Sequence, residues 1–131
     1  MEYAIGFRDL EVYKLSRQLS KDIFNVTKKF PKEEMYSLTD QVRRSSRSVG
    51  AQIAESWGKR RYEKHFISKL TDADGEQLET QHWIEVALDC GYISNEVAAN
   101  FLKQYTSIGN MLNSMILKSA SFCKPKTKDP K

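Results

Sequence analysis

An all-α protein, folded as a single up-down-up-down bundle of four helices, is what this sequence predicts. Three observations lead there. Apolar residues recur at three- and four-residue spacing in four successive stretches, the period of a helix with one buried face. Only three prolines and six glycines occur, and long stretches hold neither. The 131 residues, 40% hydrophobic and 29% charged, suit one domain with a real core.

The first helix is expected from Asp9 to Lys29, where Val12, Leu15, Leu19, Ile23, Val26 and Phe30 repeat at helical spacing. Phe7 packs ahead of it. Pro31 ends it, because the residue before proline is biased out of the α region. The second helix, Leu38 to Trp57, is the central one. Leu38, Val42, Ser45, Val49, Ile53 and Trp57 mark a core stripe, and Ser45, Ser46, Ser48, Gly50, Ala51 and Ala54 keep much of the surface small. Small side chains let a neighbouring helix come close. Arg43, Arg44 and Arg47 form a third, cationic stripe. Ser37 with Asp40 reads as a variant capping box, and Gly58 as a C′ glycine.

Lys59-Arg60-Arg61 connects to a third helix, Tyr62 to Asp89, buried through Phe66, Leu70, Ala73, Gln77, Ile84 and Leu88. Gly75 stands mid-helix at a cost of about 1 kcal/mol relative to alanine. A close contact with the small residues of the second helix is the expected compensation. Gly91 ends the third helix at C′. Ser94 or Asn95 caps the fourth, which runs to about Ser121 with Val97, Phe101, Tyr105, Ile108, Leu112 and Met115 inward. Residues 124–131 carry four lysines, two prolines and one aspartate and are expected to be a disordered basic tail on a bundle spanning 1–123.

The opening residues lack the basic and apolar regions of a secretory signal, and no apolar run is long enough to span a membrane. Cys90 and Cys123 build no disulfide framework. A cytoplasmic protein with reduced thiols follows as the expectation. The net charge is +4, but it is unevenly spread. Arg43 to Lys64 holds seven basic residues against Glu55 and Glu63. Leu70 to Asp89 holds six acidic residues and no lysine or arginine. Such polarity suits nucleic-acid contact, or two opposite surfaces that meet.

Several fragments together resemble the bacterial four-helix-bundle proteins encoded by intervening sequences in 23S ribosomal RNA genes. The residues are F-R-D-L-E-V-Y (Phe7 to Tyr13), F-P-K-E-E (Phe30 to Glu34) and L-T-D-Q-V-R-R-S (Leu38 to Ser45). S-V-G-A-Q-I-A-E-S (Ser48 to Ser56), A-D-G (Ala73 to Gly75), Glu79 and D-C-G-Y-I (Asp89 to Ile93) complete the set. The accessory variability determinant of diversity-generating retroelements is a more distant relative of the same family. Tyr13, Gln52, Ser56 and Glu76 depart from the family pattern. The resemblance implies a bundle that assembles as a ring, commonly a homopentamer, with a positive surface suited to nucleic acid. It implies no catalytic residues and no settled biochemical role.

The sequence holds few groupings that could carry chemistry. A carboxylate-bridged metal bundle needs a Glu-x-x-His pair on each of two helices. Glu79 and His82 make one such pair, and His65 has no partner glutamate at that spacing. No triad spacing and no phosphate loop occur. Glu55 reads as a structural partner for an arginine or a cap. No enzyme, metal or cofactor is expected. The basic cluster remains: Arg43, Arg44, Arg47, Lys59, Arg60, Arg61 and Lys64. These residues suit phosphate contact. Alternatively, the arginines of the second helix pair with Asp72, Asp74, Glu76 and Glu79, within a subunit or across an interface. Tyr62 and Trp57 flank the turn and could stack on bases, though Trp57 at this spacing suits the core. The expected function is a non-enzymatic homo-oligomeric scaffold for RNA or DNA. The alternative is a protein-interaction module, such as an accessory subunit of a reverse transcriptase.

Overall fold

The structure, a computed structural model, describes residues 4–123. It is all-helical, with no strand among those residues. The long helices are α1 (Glu11–Thr27), α2 (Leu38–Gly58), α3 (Glu63–Asp89) and α4 (Asn95–Leu117), and a short α5 (Ser119–Phe122) follows. The expected basic tail, 124–131, lies outside the described residues.

α1 starts later than its periodicity suggests. Asp9 Oδ2 accepts the backbone N–H groups of Ile5 (2.8 Å) and Gly6 (3.1 Å), so Phe7–Asp9 closes a separate 3₁₀ turn before the helix. Those two bonds hold the Asp9 carboxyl below its ordinary pKa. The helix buries Val12, Ser16, Leu19, Ile23 and Thr27, with Leu15 and Val26 half-buried beside them.

α2 begins at Leu38 as expected, but the cap differs. Ser37 makes no side-chain cap bond. Glu34 supplies the cap instead, its Oε1 accepting the Leu38 N–H at 3.2 Å. At the other end Gly58 is the last helical residue and not a C′ glycine. Gly91, at φ +76°, is the one position of positive φ among the described residues. There the Gly91 N–H bonds to Leu88 O and the Tyr92 N–H to Ala87 O, a Schellman ending that stops α3. Ser94 caps α4 by accepting the Val97 N–H at 3.1 Å. α4 ends at Leu117, short of the expected Ser121, and its inward stripe takes Ala98 in place of Val97.

Each long helix packs against its neighbour in sequence, and α4 returns against α1. The α2–α3 contact is the most extensive. It contains a buried bond between the Ser45 and Thr80 hydroxyls (2.8 Å) and the Lys69 ammonium, which reaches Glu55 (2.7 Å) and Gln52 (3.2 Å). Glu55 is therefore a structural partner, of a lysine and not of an arginine. Gly75 does not provide the expected close approach. It is exposed, and a Cβ there would meet nothing within 4 Å. The close approaches belong to Gly50, where a Cβ would lie 3.2 Å from Ser16 Oγ of α1, and to Gly109, where it would lie 2.9 Å from Gln77 Nε2 of α3.

Candidate nucleic-acid interface

The predicted cations fall into three environments. Arg43 is half-buried and turned toward the end of α1. Its Nε donates to Thr27 Oγ1 at 2.7 Å, its Nη2 to the Phe24 carbonyl at 3.4 Å, and its guanidinium lies 4.6 Å from the centre of the Phe24 ring. A cation near the last carbonyls of a helix is favoured by the helix dipole. Arg60 is also held: its Nε donates to the Trp57 carbonyl at 2.8 Å, and its guanidinium lies 3.7 Å from the centre of the indole. These two arginines serve the packing.

Arg44 and Arg47 are exposed on α2, Arg47 at 5.5 Å from the Phe24 ring centre. Neither pairs with the acids of α3 inside the chain. Among the described residues the ion pairs are Lys14–Glu11 and Lys69–Glu55. The α3 acids use local partners instead: Asp74 accepts from Gln77 Nε2 (2.9 Å) and Glu79 from Trp83 Nε1 (3.0 Å). Burial pushes the Glu76 carboxyl up, the Glu79 charge adds to that, and Arg44 opposes it. His82 rests against Trp83, and no three potential metal ligands come together among the described residues.

Lys59, Arg61 and Lys64 form the third group. All are exposed around the α2–α3 turn, beside Tyr62, which is 58% exposed and in ring contact with His65. No carboxylate lies within ion-pair distance of them among the described residues. This turn stands at the end of the molecule where the start of α1, Trp57, Arg60 and α5 line one open cavity. Glu63 of the turn is tied to α5 through the Ser119 hydroxyl.

A second basic row lies outside the expected site residues. Lys14, Arg17 and Lys21 lie along α1 at three- and four-residue spacing, and with Arg8 they border a shallow surface hollow. The spacing was the available signal. Arg17 also joins Arg47 on a groove between α1 and α2.

The family model described as 23S rRNA-intervening sequence protein matches residues 8–114. The chain belongs to that family. A solved structure of a protein of unknown function from the S23 ribosomal protein family of Bacteroides thetaiotaomicron is 29% identical, covering 81% of this chain and 95% of that one, with a TM-score of 0.72. No curated protein matches. In this chain the fragments quoted above meet in space. Tyr92, of the D-C-G-Y-I fragment, donates to Glu34 of F-P-K-E-E at 2.8 Å and lies 5.3 Å, centre to centre, from the Phe30 ring. Tyr13 and Gly50 bring two further fragments together. No helix among the described residues is long and apolar enough to cross a membrane.

Proposed function

We propose that the protein is a non-enzymatic, homo-oligomeric scaffold in the cytoplasm that holds structured RNA or DNA by ionic contact. On this reading the four long helices form one up-down-up-down bundle. Copies assemble as a ring, with five the number that the family resemblance favours. Lys59, Arg61 and Lys64 carry the phosphate contacts, and Arg44 extends the surface. The supporting observation is the α2–α3 turn: three exposed cations at one end of the molecule, with no carboxylate in ion-pair range among the described residues. Cations left without internal partners remain available to phosphate. The family description, which names 23S rRNA, agrees with a nucleic-acid role.

A ring repeats the turn, so individually weak contacts add. Each phosphate neutralised contributes about −0.9 to the slope of log affinity against log salt on duplex DNA. Filter binding on duplex DNA and structured RNA across a salt series tests this. A steep slope that flattens in Arg61→Ala/Lys64→Ala is expected. Absence of binding to either nucleic acid at low salt would refute the reading and favour a protein-interaction module.

A further inference from the structure

Two surfaces remain without a use, and they are opposite in charge. The first is the outward ridge of α3. Asp72, Gly75, Leu78 and Glu79 lie within two turns on its exposed face, and Leu78 is 55% exposed. Asp72 has no ion-pair partner among the described residues, and Glu79 accepts only from Trp83 on its own helix. Gly75 is the unexplained member. A mid-helix glycine costs about 1 kcal/mol relative to alanine, and among the described residues nothing would come within 4 Å of a Cβ there. A helix surface that is lowest at a glycine and bears an exposed leucine beside it has the shape of a close helix contact.

The second surface is the groove between α1 and α2, of about 240 Å³. Tyr13, Gly50, Ala51 and Ala54 line it together with the buried Ser16 and Ser46, and the exposed Arg17 and Arg47 border it. Both arginines are exposed and without a carboxylate in range among the described residues. A phosphate would meet the two arginines but leave the apolar part of this lining uncovered. The α3 ridge offers what such a groove lacks: an exposed apolar side chain, Leu78, and the two carboxylates Asp72 and Glu79.

We propose that the α3 ridge of one copy docks in the α1/α2 groove of the next, with Arg17 and Arg47 meeting Asp72 and Glu79. This rests on the homo-oligomer reading above and specifies its surfaces. The two patches differ, so the contact is heterologous, and repetition of it closes a ring or extends a filament. It also gives part of the charge polarity of the sequence, Arg47 against the α3 acids, a structural use. The arginines and the α3 acids do pair, between copies and not within one.

Charge reversal tests it, with mass read by light scattering during size exclusion on the full chain at micromolar concentration. Circular dichroism serves as the check on folding, since the altered residues are exposed. The wild type is expected at a multiple of 15.2 kDa. Arg47→Glu alone and Glu79→Arg alone are each expected to fall toward 15.2 kDa with helicity kept. The double variant is expected to regain the wild-type mass, because each change restores the opposite charge that the other removed. A wild type already at 15.2 kDa overturns both the homo-oligomer reading and this one. An oligomeric wild type whose mass survives either single reversal overturns the docking alone. So does a double variant that stays dissociated.

Discussion

Replacing Arg43 by alanine shows how far the basic cluster of α2 is engaged within the chain. Its guanidinium makes one short bond, 2.7 Å to the Thr27 hydroxyl, and covers the Phe24 ring at 4.6 Å. A hydrogen bond from a charged donor contributes about 1.5–3 kcal/mol. A cation over an aromatic face contributes about 0.5–1 kcal/mol where water still reaches it. Arg43 is half-buried, so the lower ends of those ranges apply and sum to about 2 kcal/mol. The contact to the Phe24 carbonyl, at 3.4 Å, is too long to add much. Thr27 is not orphaned by the change, since its hydroxyl also donates to the Ile23 carbonyl at 2.8 Å, and this limits the loss. Arg44→Ala is the matched control, one residue away and exposed, with an expected effect within about 0.5 kcal/mol. Urea unfolding at one fixed protein concentration, followed by circular dichroism, gives both values with comparable m. If Arg43→Ala costs no more than Arg44→Ala, the reasoning is refuted and Arg43 rejoins the groups open to phosphate.

Three other outcomes are expected. Tyr105 is fully buried with its hydroxyl unpartnered among the described residues, an arrangement that costs about 1–3 kcal/mol, so Tyr105→Phe should raise the urea midpoint and a lowered midpoint would contradict this. The Tyr92 hydroxyl and the Leu38 N–H hold Glu34 below its ordinary 4.5, so its contribution is complete above 4.5 and lost as pH falls through the lowered value. Tyr92 is pushed up to about 12 by the same bond, so its share is complete below 10 and lost as pH rises through 12. Thermal midpoints of wild type and Glu34→Gln should therefore differ steadily at neutral pH and converge in acid once pH has fallen below the lowered Glu34 value, and a gap persisting beyond that would count against the bond. Arg60→Ala should lower the thermal midpoint because it uncovers Trp57, whereas Arg61→Ala should leave it unchanged; equal effects would mean the two are equivalent after all.

The helices were legible because burial leaves a period in the sequence. Leu38, Val42, Val49 and Ile53 repeat at that period and are buried, and Gly91 and Ser94 stand where a left-handed residue and a side-chain cap are needed. Local signals failed where two partners compete for one role. Ser37 and Glu34 both suit the α2 cap, and only the 3₁₀ turn at Lys32–Glu34 brings the glutamate within reach. Gly75 and Gly109 are both mid-helix glycines, and which of them meets a neighbour depends on how far each helix is rotated about its axis. The site was half legible. Lys59, Arg61 and Lys64 are exposed as expected. Arg43 and Arg60 are not free, because each lies over an aromatic ring and donates a short hydrogen bond within the chain, Arg43 to the Thr27 hydroxyl and Arg60 to the Trp57 carbonyl.

The Glu34–Tyr92 bond joins residues 58 positions apart, one in the α1–α2 connection and one just after α3. Two crossings that would otherwise fray separately are thereby made to open together. Glu34 also holds the first amide of α2, so exchange of the Leu38 N–H with solvent requires Tyr92 to let go or the cap to break alone. Tyr36, 94% exposed in the same connection, offers a protease an obvious side chain. The backbone around it is nonetheless pinned on both sides, by Glu34 and by the start of α2. Cleavage there should follow the joint opening of the two connections and not the exposure of the tyrosine. Glu34→Gln should therefore speed both cleavage at Tyr36 and exchange near Tyr92.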